Sequence, residues 1–303
     1  MAAETTSTLS NEMMTYYESK FLERAKHLLV HEDGATKNTH AKGQGKNILF
    51  NRYSPLATAT TPLTEGSNPS EVSISSSTVT ASLQEYGNVV KISKLIKLTS
   101  IDKDAREKVE LMGQNMGETL DELARDALYS GATAQLASGA SAVSDLATSD
   151  TMDADEARKA VRYLESQKAL KFGDGFYKGI VGPYTKYDLI GDNTWVNAKT
   201  YSDVKDLYRG EIGELYGVRF ALTTNQKSES STATVYSNFI MGDKAFGTYD
   251  LEGDMPKLYI KVPGKQDTSN PTDRYSTIGW AGTYVARVLI STWCVNVKTG
   301  ATA

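Results

Sequence analysis

Apolar side chains fall at Ala105, Val109, Met112, Met116, Leu120, Leu123 and Ala127, and no other feature of the chain narrows its fold so far. The gaps are 4, 3, 4, 4, 3 and 4 residues, which lays one unbroken stripe along an α-helix. With Thr99 or Asp102 as its cap the helix spans Asp102–Tyr129, and 28 residues make a rod roughly 42 Å long. A stripe of that length has to be covered by a sheet or by other helices, so it needs a layered core around it. The opposite face is acidic, with Asp102, Asp104, Glu107, Glu110, Glu118, Asp121, Glu122 and Asp126 against Lys103, Arg106, Lys108 and Arg125. These read as the wetted side. Gly113 and Gly117 each lower helix propensity by about 1 kcal/mol relative to Ala, so they either admit a neighbouring backbone or mark a bend.

Upstream, Met13, Tyr16/Tyr17, Phe21, Ala25 and Leu28/Leu29 recur at helical steps and predict a helix from Glu12 to about Val30. A polar run follows over residues 31–47. From Lys20 to Arg52 seven basic residues stand against three acidic ones, an excess of four positive charges. Residues 47–79 open on the apolar Ile48–Phe50 and then pass through Pro55, Pro62, Gly66 and Pro69 among many Ser and Thr. Proline is excluded from central strands, and connections in compact domains are commonly about 4–6 residues. The segment therefore reads as an extended arm or loop whose partners lie on another molecule. Val79–Ile92 reads as two strands separated near Tyr86-Gly87-Asn88.

After the long helix, the Gly/Ala/Ser-rich residues 130–150 read as a linker and the best candidate for a domain boundary. Asp153 with Glu156 forms a capping box, Met152 is placed as its staple, and Ala157, Val161 and Leu164 continue a helix. Strands are expected at Tyr177–Val181, Val218–Leu222, Val235–Met241 and Leu258–Val262, a turn at Pro183 and a helix around Tyr201–Tyr208. Thr283–Val297 is one long β-like run. The class is α+β, without a βαβ repeat.

Chemistry is sparse. The chain has a single cysteine, Cys294, so an intrachain disulfide is impossible, and it reads as buried filler. His27 and His31 lie four apart but have no third ligand, and with His40 they read as solvated. Gly45-Lys46-Asn47 lacks the upstream glycine and the hydroxyl of a phosphate loop, and no GxSxG elbow occurs. Glu118 and Glu122 form a pair suited at best to weak calcium or magnesium binding, with plain solvation preferred. No catalytic, cofactor or metal site is expected, so the chain is read as a non-enzyme. A formal charge of −4 gives no grip on nucleic acid, and seventeen tyrosines spread along the chain suit cores and subunit interfaces. The opening MAAETTSTLSNEMM has no secretory pattern and no window approaches a membrane span, so a reducing cytoplasm is the expected site of folding.

Several passages carry a resemblance: PLTEG (62–66), LQEYGNVVKIS (83–93), ADEARKAVRYL (154–164), GFYKGIVGPYTKYDLIGD (175–192), RGEIGELYGVRFALTTN (209–225), DKAFGTYDLEG (243–253) and STIGWAGTYVARVLISTW (276–293). In this order, over nearly the whole chain, they resemble major capsid proteins of tailed bacteriophages, the N4-like group of the HK97-like superfold. The resemblance implies an N-terminal arm and helix over residues 1–47 and an extended loop over 48–77. It also implies a peripheral domain over 78–150 with a spine helix at 102–129. The axial domain would take most of 151–303, with late strands returning to the periphery. It implies a structural shell subunit, icosahedral or prolate, meeting copies of itself as pentamers and hexamers. Portal, scaffold and decoration proteins are further candidate partners, and packaged double-stranded DNA lies close without specific contact. The expected location is the virion capsid, assembled in the bacterial cytoplasm with no membrane. The alternative is another virion subunit, a tail tube or decoration protein. Neither a long cleaved scaffolding segment nor a Lys–Asn crosslink, both found in some relatives, has a match here. Charge complementarity puts intersubunit contacts at Lys42, Lys46 and Arg52 of the arm and loop and at Glu110 and Glu118 of the helix, with Glu65 of the loop a further contact residue.

Overall fold

A computed structural model describes residues 18–25, 28–53, 56–63, 65–66, 68–69, 71–93, 105–192, 213–261, 270–272 and 274–302. The caps at Thr99 or Asp102, the start of the first helix and the helix around Tyr201–Tyr208 lie outside them.

The long helix, α2 (Ala105–Gly131), follows a short helix α1 over residues 18–25. Its stripe rests on a five-stranded sheet organised by β13 (Tyr275–Val288). Ten positions of β13 pair antiparallel with β4 (Gln84–Ser93), and Thr277–Ala281 also pair with β12 (Lys257–Lys261). Farther along, β13 pairs with β11 (Phe246–Leu251), on which β1 (Thr36–His40) lies parallel. Val109, Met112, Met116 and Leu120 of α2 meet Leu258, Ile278, Trp280 and Tyr284 of the sheet, closed from the other side by Phe21 and Ala25 of α1. Burying such side chains contributes about 1.5–3 kcal/mol each, which is why the stripe dictates the layer.

One turn on, Ala124 and Leu128 pack against Ile180, Phe239, Met241 and Phe246. The second half of α2 thereby reaches a seven-stranded sheet. Its order is β5 (Thr133–Leu136), β14 (Cys294–Thr299), β10 (Thr234–Met241), β6 (Tyr177–Val181), β8 (Val218–Leu222) and β7 (Glu214–Leu215), with β9 (Ser228–Ser230) on β10. Helices α3 (Ala154–Ser166) and α4 (Pro183–Gly191) supply Ala157, Ala160, Val161, Leu164 and Leu189 to its other face. The third sheet is a two-stranded ribbon, β2 (Asn47–Tyr53) with β3 (Ser76–Ser82).

Gly113 and Gly117 form a seat for α1. A Cβ at Gly113 would stand 2.5 Å from the Phe21 carbonyl oxygen, and one at Gly117 2.8 Å from that of Ala25. Close backbone approach, not a bend, is therefore their role. Gly87 does not separate two strands: it lies inside β4, where a Cβ would stand 2.5 Å from the Trp280 carbonyl oxygen.

Other expectations are corrected. The polar run 31–47 contains β1, a strand held by backbone pairing with no apolar pattern of its own. Residues 48–77 are not without an element, since their two ends pair as the ribbon. The presumed linker 130–150 contributes β5 and the fully buried Ala137 and Leu146. Pro183 opens α4 as its first residue, a position that needs no N–H donor. The run Thr283–Val297 is two strands in different sheets, broken by a short 3-10 turn at Ser291–Trp293. The capping box is half made: Asp153 Oδ1 accepts the Glu156 N–H at 2.7 Å, but the buried Glu156 carboxylate accepts from Gln135 Nε2, Ser138 N–H and Lys159 Nζ instead.

Candidate assembly surfaces

Among the described residues no three His, Cys, Asp or Glu side chains are placed to share a metal ion. Glu118 and Glu122 line an open cleft of about 460 Å³ beside α2, with Asn115, Thr223 and Asn225. Each has a partner already: Glu118 accepts from Gln114 Nε2 at 2.7 Å, and Glu122 stands 3.5 Å from Arg125 Nη1. Cys294 is fully buried, and that burial pushes its thiol up to about 12, far from a nucleophile's range.

The described side chains of the ribbon are largely exposed. Ile48 and Ala81 turn inward, and Phe50 meets the edge of the Tyr249 ring at 4.7 Å between centroids. Leu49 and Tyr53 point the other way and are 64% and 68% exposed. Beyond the paired ends, Leu56, Leu63, Val72 and Ile74 are likewise more than half exposed. Six large apolar side chains between residues 49 and 74 are thus held out in water.

Two polar networks fix the body behind the ribbon, and neither was anticipated from sequence. Asp121 is buried and accepts the His31 backbone N–H at 2.8 Å, His31 Nδ1 at 2.8 Å and Asn225 Nδ2 at 3.1 Å. His31 is thus buried, not solvated, and Asp121 and Arg125 do not belong to the wetted face of α2. At the end of α2, Glu229 accepts from Tyr129 Oη at 2.7 Å and Lys298 Nζ at 2.6 Å, joining α2, β9 and β14. Burial opposes the carboxylate's charge, but these donors prevail and hold Glu229 below the usual range. Helical periodicity places residues on a face; it cannot reveal partners some 70–100 positions away.

No known family profile and no curated protein matches the sequence. Solved structures do. The capsid of the cyanophage P-SCSP1u shares 14% identity, covers 91% of this chain and 89% of its own, and superposes with a TM-score of 0.68. The capsid asymmetric unit of cyanophage Pam1 gives 18%, 88%, 89% and 0.66 by the same measures. For the capsid of Ralstonia phage GP4 they are 13%, 89%, 87% and 0.67. The chain shares the fold of these phage capsid proteins.

In this fold the six expected contact residues fall into separate patches. Lys42 lies by the tight turn at Gly253, where an added Cβ would stand 2.5 Å from its Nζ. Lys46 is exposed at the foot of the ribbon, and Arg52 lies along β2 opposite Ser77. Glu65 is exposed at the far end of the loop. Glu110 is half-buried and Glu118 exposed on α2, eight residues and about 12 Å apart. They do not converge on one site within a subunit.

Proposed function

We propose that the chain is the major capsid protein of a tailed bacteriophage, of the N4-like group, and that it self-assembles into the shell around the genome. The observation that carries this reading is the match to phage capsid structures over about nine-tenths of both chains. The ribbon and the residues between its strands add to it, since six large apolar side chains held out in water suit a subunit completed by its neighbours. In this reading residues 48–77 lie over an adjacent copy and α2 is the spine of a peripheral domain. Most of the chain beyond residue 151 forms an axial domain meeting others as pentamers and hexamers. Lys42, Lys46 and Arg52 then face the acidic Glu110 and Glu118 of neighbours, and Glu65 is a further intersubunit contact. Portal, scaffold and decoration proteins would join the same particle, with DNA packed inside without specific contacts.

Electron microscopy of the purified chain under assembly conditions tests it. Closed shells with fivefold and sixfold clusters are expected. Helical tubes or small rings would point to a tail-tube or decoration subunit instead, and a monomer at every concentration would refute self-assembly.

A further inference from the structure

Among the described residues strand β4 is an edge. Among the described residues it pairs only with β13, and its ten residues contain no proline. Gln84, Glu85, Gly87, Asn88, Val89, Val90, Lys91 and Ser93 are all exposed, Val89 at 56% and Val90 at 43%. Edges of this length are ordinarily blunted by proline, bulges or several charges, because an open row of N–H and C=O groups invites another strand. Here the only charges are Glu85 and Lys91.

Laid antiparallel on its own image with Asn88 opposite Asn88, the sequence is self-complementary. Glu85 meets Lys91, Tyr86 meets Val90, Gly87 meets Val89 and Gln84 meets Ile92, each pair occurring twice. Opposite charges and aromatic–β-branched pairs are the favourable cross-strand combinations. Moving the register by two residues sets Glu85 against Ser93 or Val89 and leaves both charges without a partner. The faces agree as well. Tyr86 and Ile92 pack toward α2 and Asn88 Nδ2 donates to Asn115 of that helix, while Glu85, Gly87, Val89 and Lys91 alternate with them. The two sheets would join into one, with both long helices on the same side. Such an interface is isologous, the same patch used by both partners.

We propose that β4 pairs with β4 of a second copy about a twofold axis at Asn88, held in register by two Glu85–Lys91 ion pairs. This rests on the self-assembly reading and gives it a specific twofold contact.

The full chain tests it by crosslinking. Directly opposed antiparallel residues have Cα atoms about 4.5–5.5 Å apart, within the roughly 4.4–6.8 Å that a disulfide spans. Asn88→Cys, oxidised with glutathione disulfide, is expected to give a covalent dimer on a non-reducing gel. Val90→Cys, opposite Tyr86, is expected to stay monomeric. By sedimentation, Glu85→Lys and Lys91→Glu singly should each weaken the dimer about tenfold, and the double reversal should return it to within about twofold of wild type. If shells form while Asn88→Cys stays uncrosslinked, the β4 contact is wrong and the shell reading stands. Crosslinked dimers that never make shells would support the contact and sink the shell reading. A double reversal no better than the singles would overturn the register.

Discussion

Asp121 is where a one-dimensional reading of α2 goes furthest astray. It sits beside Leu120 on the helix, and its carboxylate is buried beneath His31, with both side chains 1% exposed. Removing the carboxylate leaves the buried donors of His31 and Asn225 without an acceptor, at a cost of about 1–3 kcal/mol each. Asp121→Ala should therefore lower the urea midpoint far more than Glu118→Gln, which should stay within about 0.5 kcal/mol of wild type. Equal midpoints would mean that the His31 contact contributes nothing. A second residue-scale expectation concerns pH. The folded-state value of Glu229 is depressed, so its contribution is present above the ordinary Glu range and is lost as pH falls through the folded value. Below about pH 4 wild type should lose stability more steeply than Glu229→Gln. Parallel urea midpoints for the two proteins from pH 3 to 7 would contradict this.

At the scale of elements, what was legible followed from repeated local signals. Tyr177–Val181 and Val218–Leu222 are strands within those bounds, because each is a short β-rich run between turn residues. The stripe of α2 identified its core face as far as Leu120, which is 5% exposed. Beyond that the helix passes from one sheet to another, and its covered face widens to take in Asp121, Ala124, Arg125 and Leu128. What was illegible depended on partners distant in sequence. β1 and β5 are strands because β11 and β14 run alongside them, not because their residues favour it. The role of Gly113 became visible only with Phe21 against it. Gly113→Ala should displace α1 and lower the melting temperature well beyond the helix-propensity gain of about 1 kcal/mol. A stabilised Gly113→Ala protein would mean that the seat is loose. Leu120→Asp buries a charge without a partner and should prevent cooperative folding; a soluble, sharply melting variant would show that the core face is misassigned.

For the whole molecule, the charge distribution bears on how copies would meet in the proposed shell. Lys42 and Lys46 lie near the foot of the ribbon and Arg52 lies along β2, while Glu107, Glu118, Glu122 and Asp126 remain exposed on α2. With Asp121 and Arg125 withdrawn into the core, that face stays acidic. Exposed ion pairs contribute only about 0–1 kcal/mol each and weaken in salt. Spread over a protein surface, however, such charges steer encounters and set register. If arm and ribbon of one subunit cross the helix of the next, reversing Lys42, Lys46 and Arg52 together to Glu should slow assembly at low salt. It should also flatten the salt dependence of the rate, and the subunit's melting temperature should barely change. Light scattering after a jump into assembly conditions, at low and high ionic strength, separates this from simple solvation. An unchanged low-salt rate for the well-folded triple variant would show that these cations do not meet the helix of a neighbour.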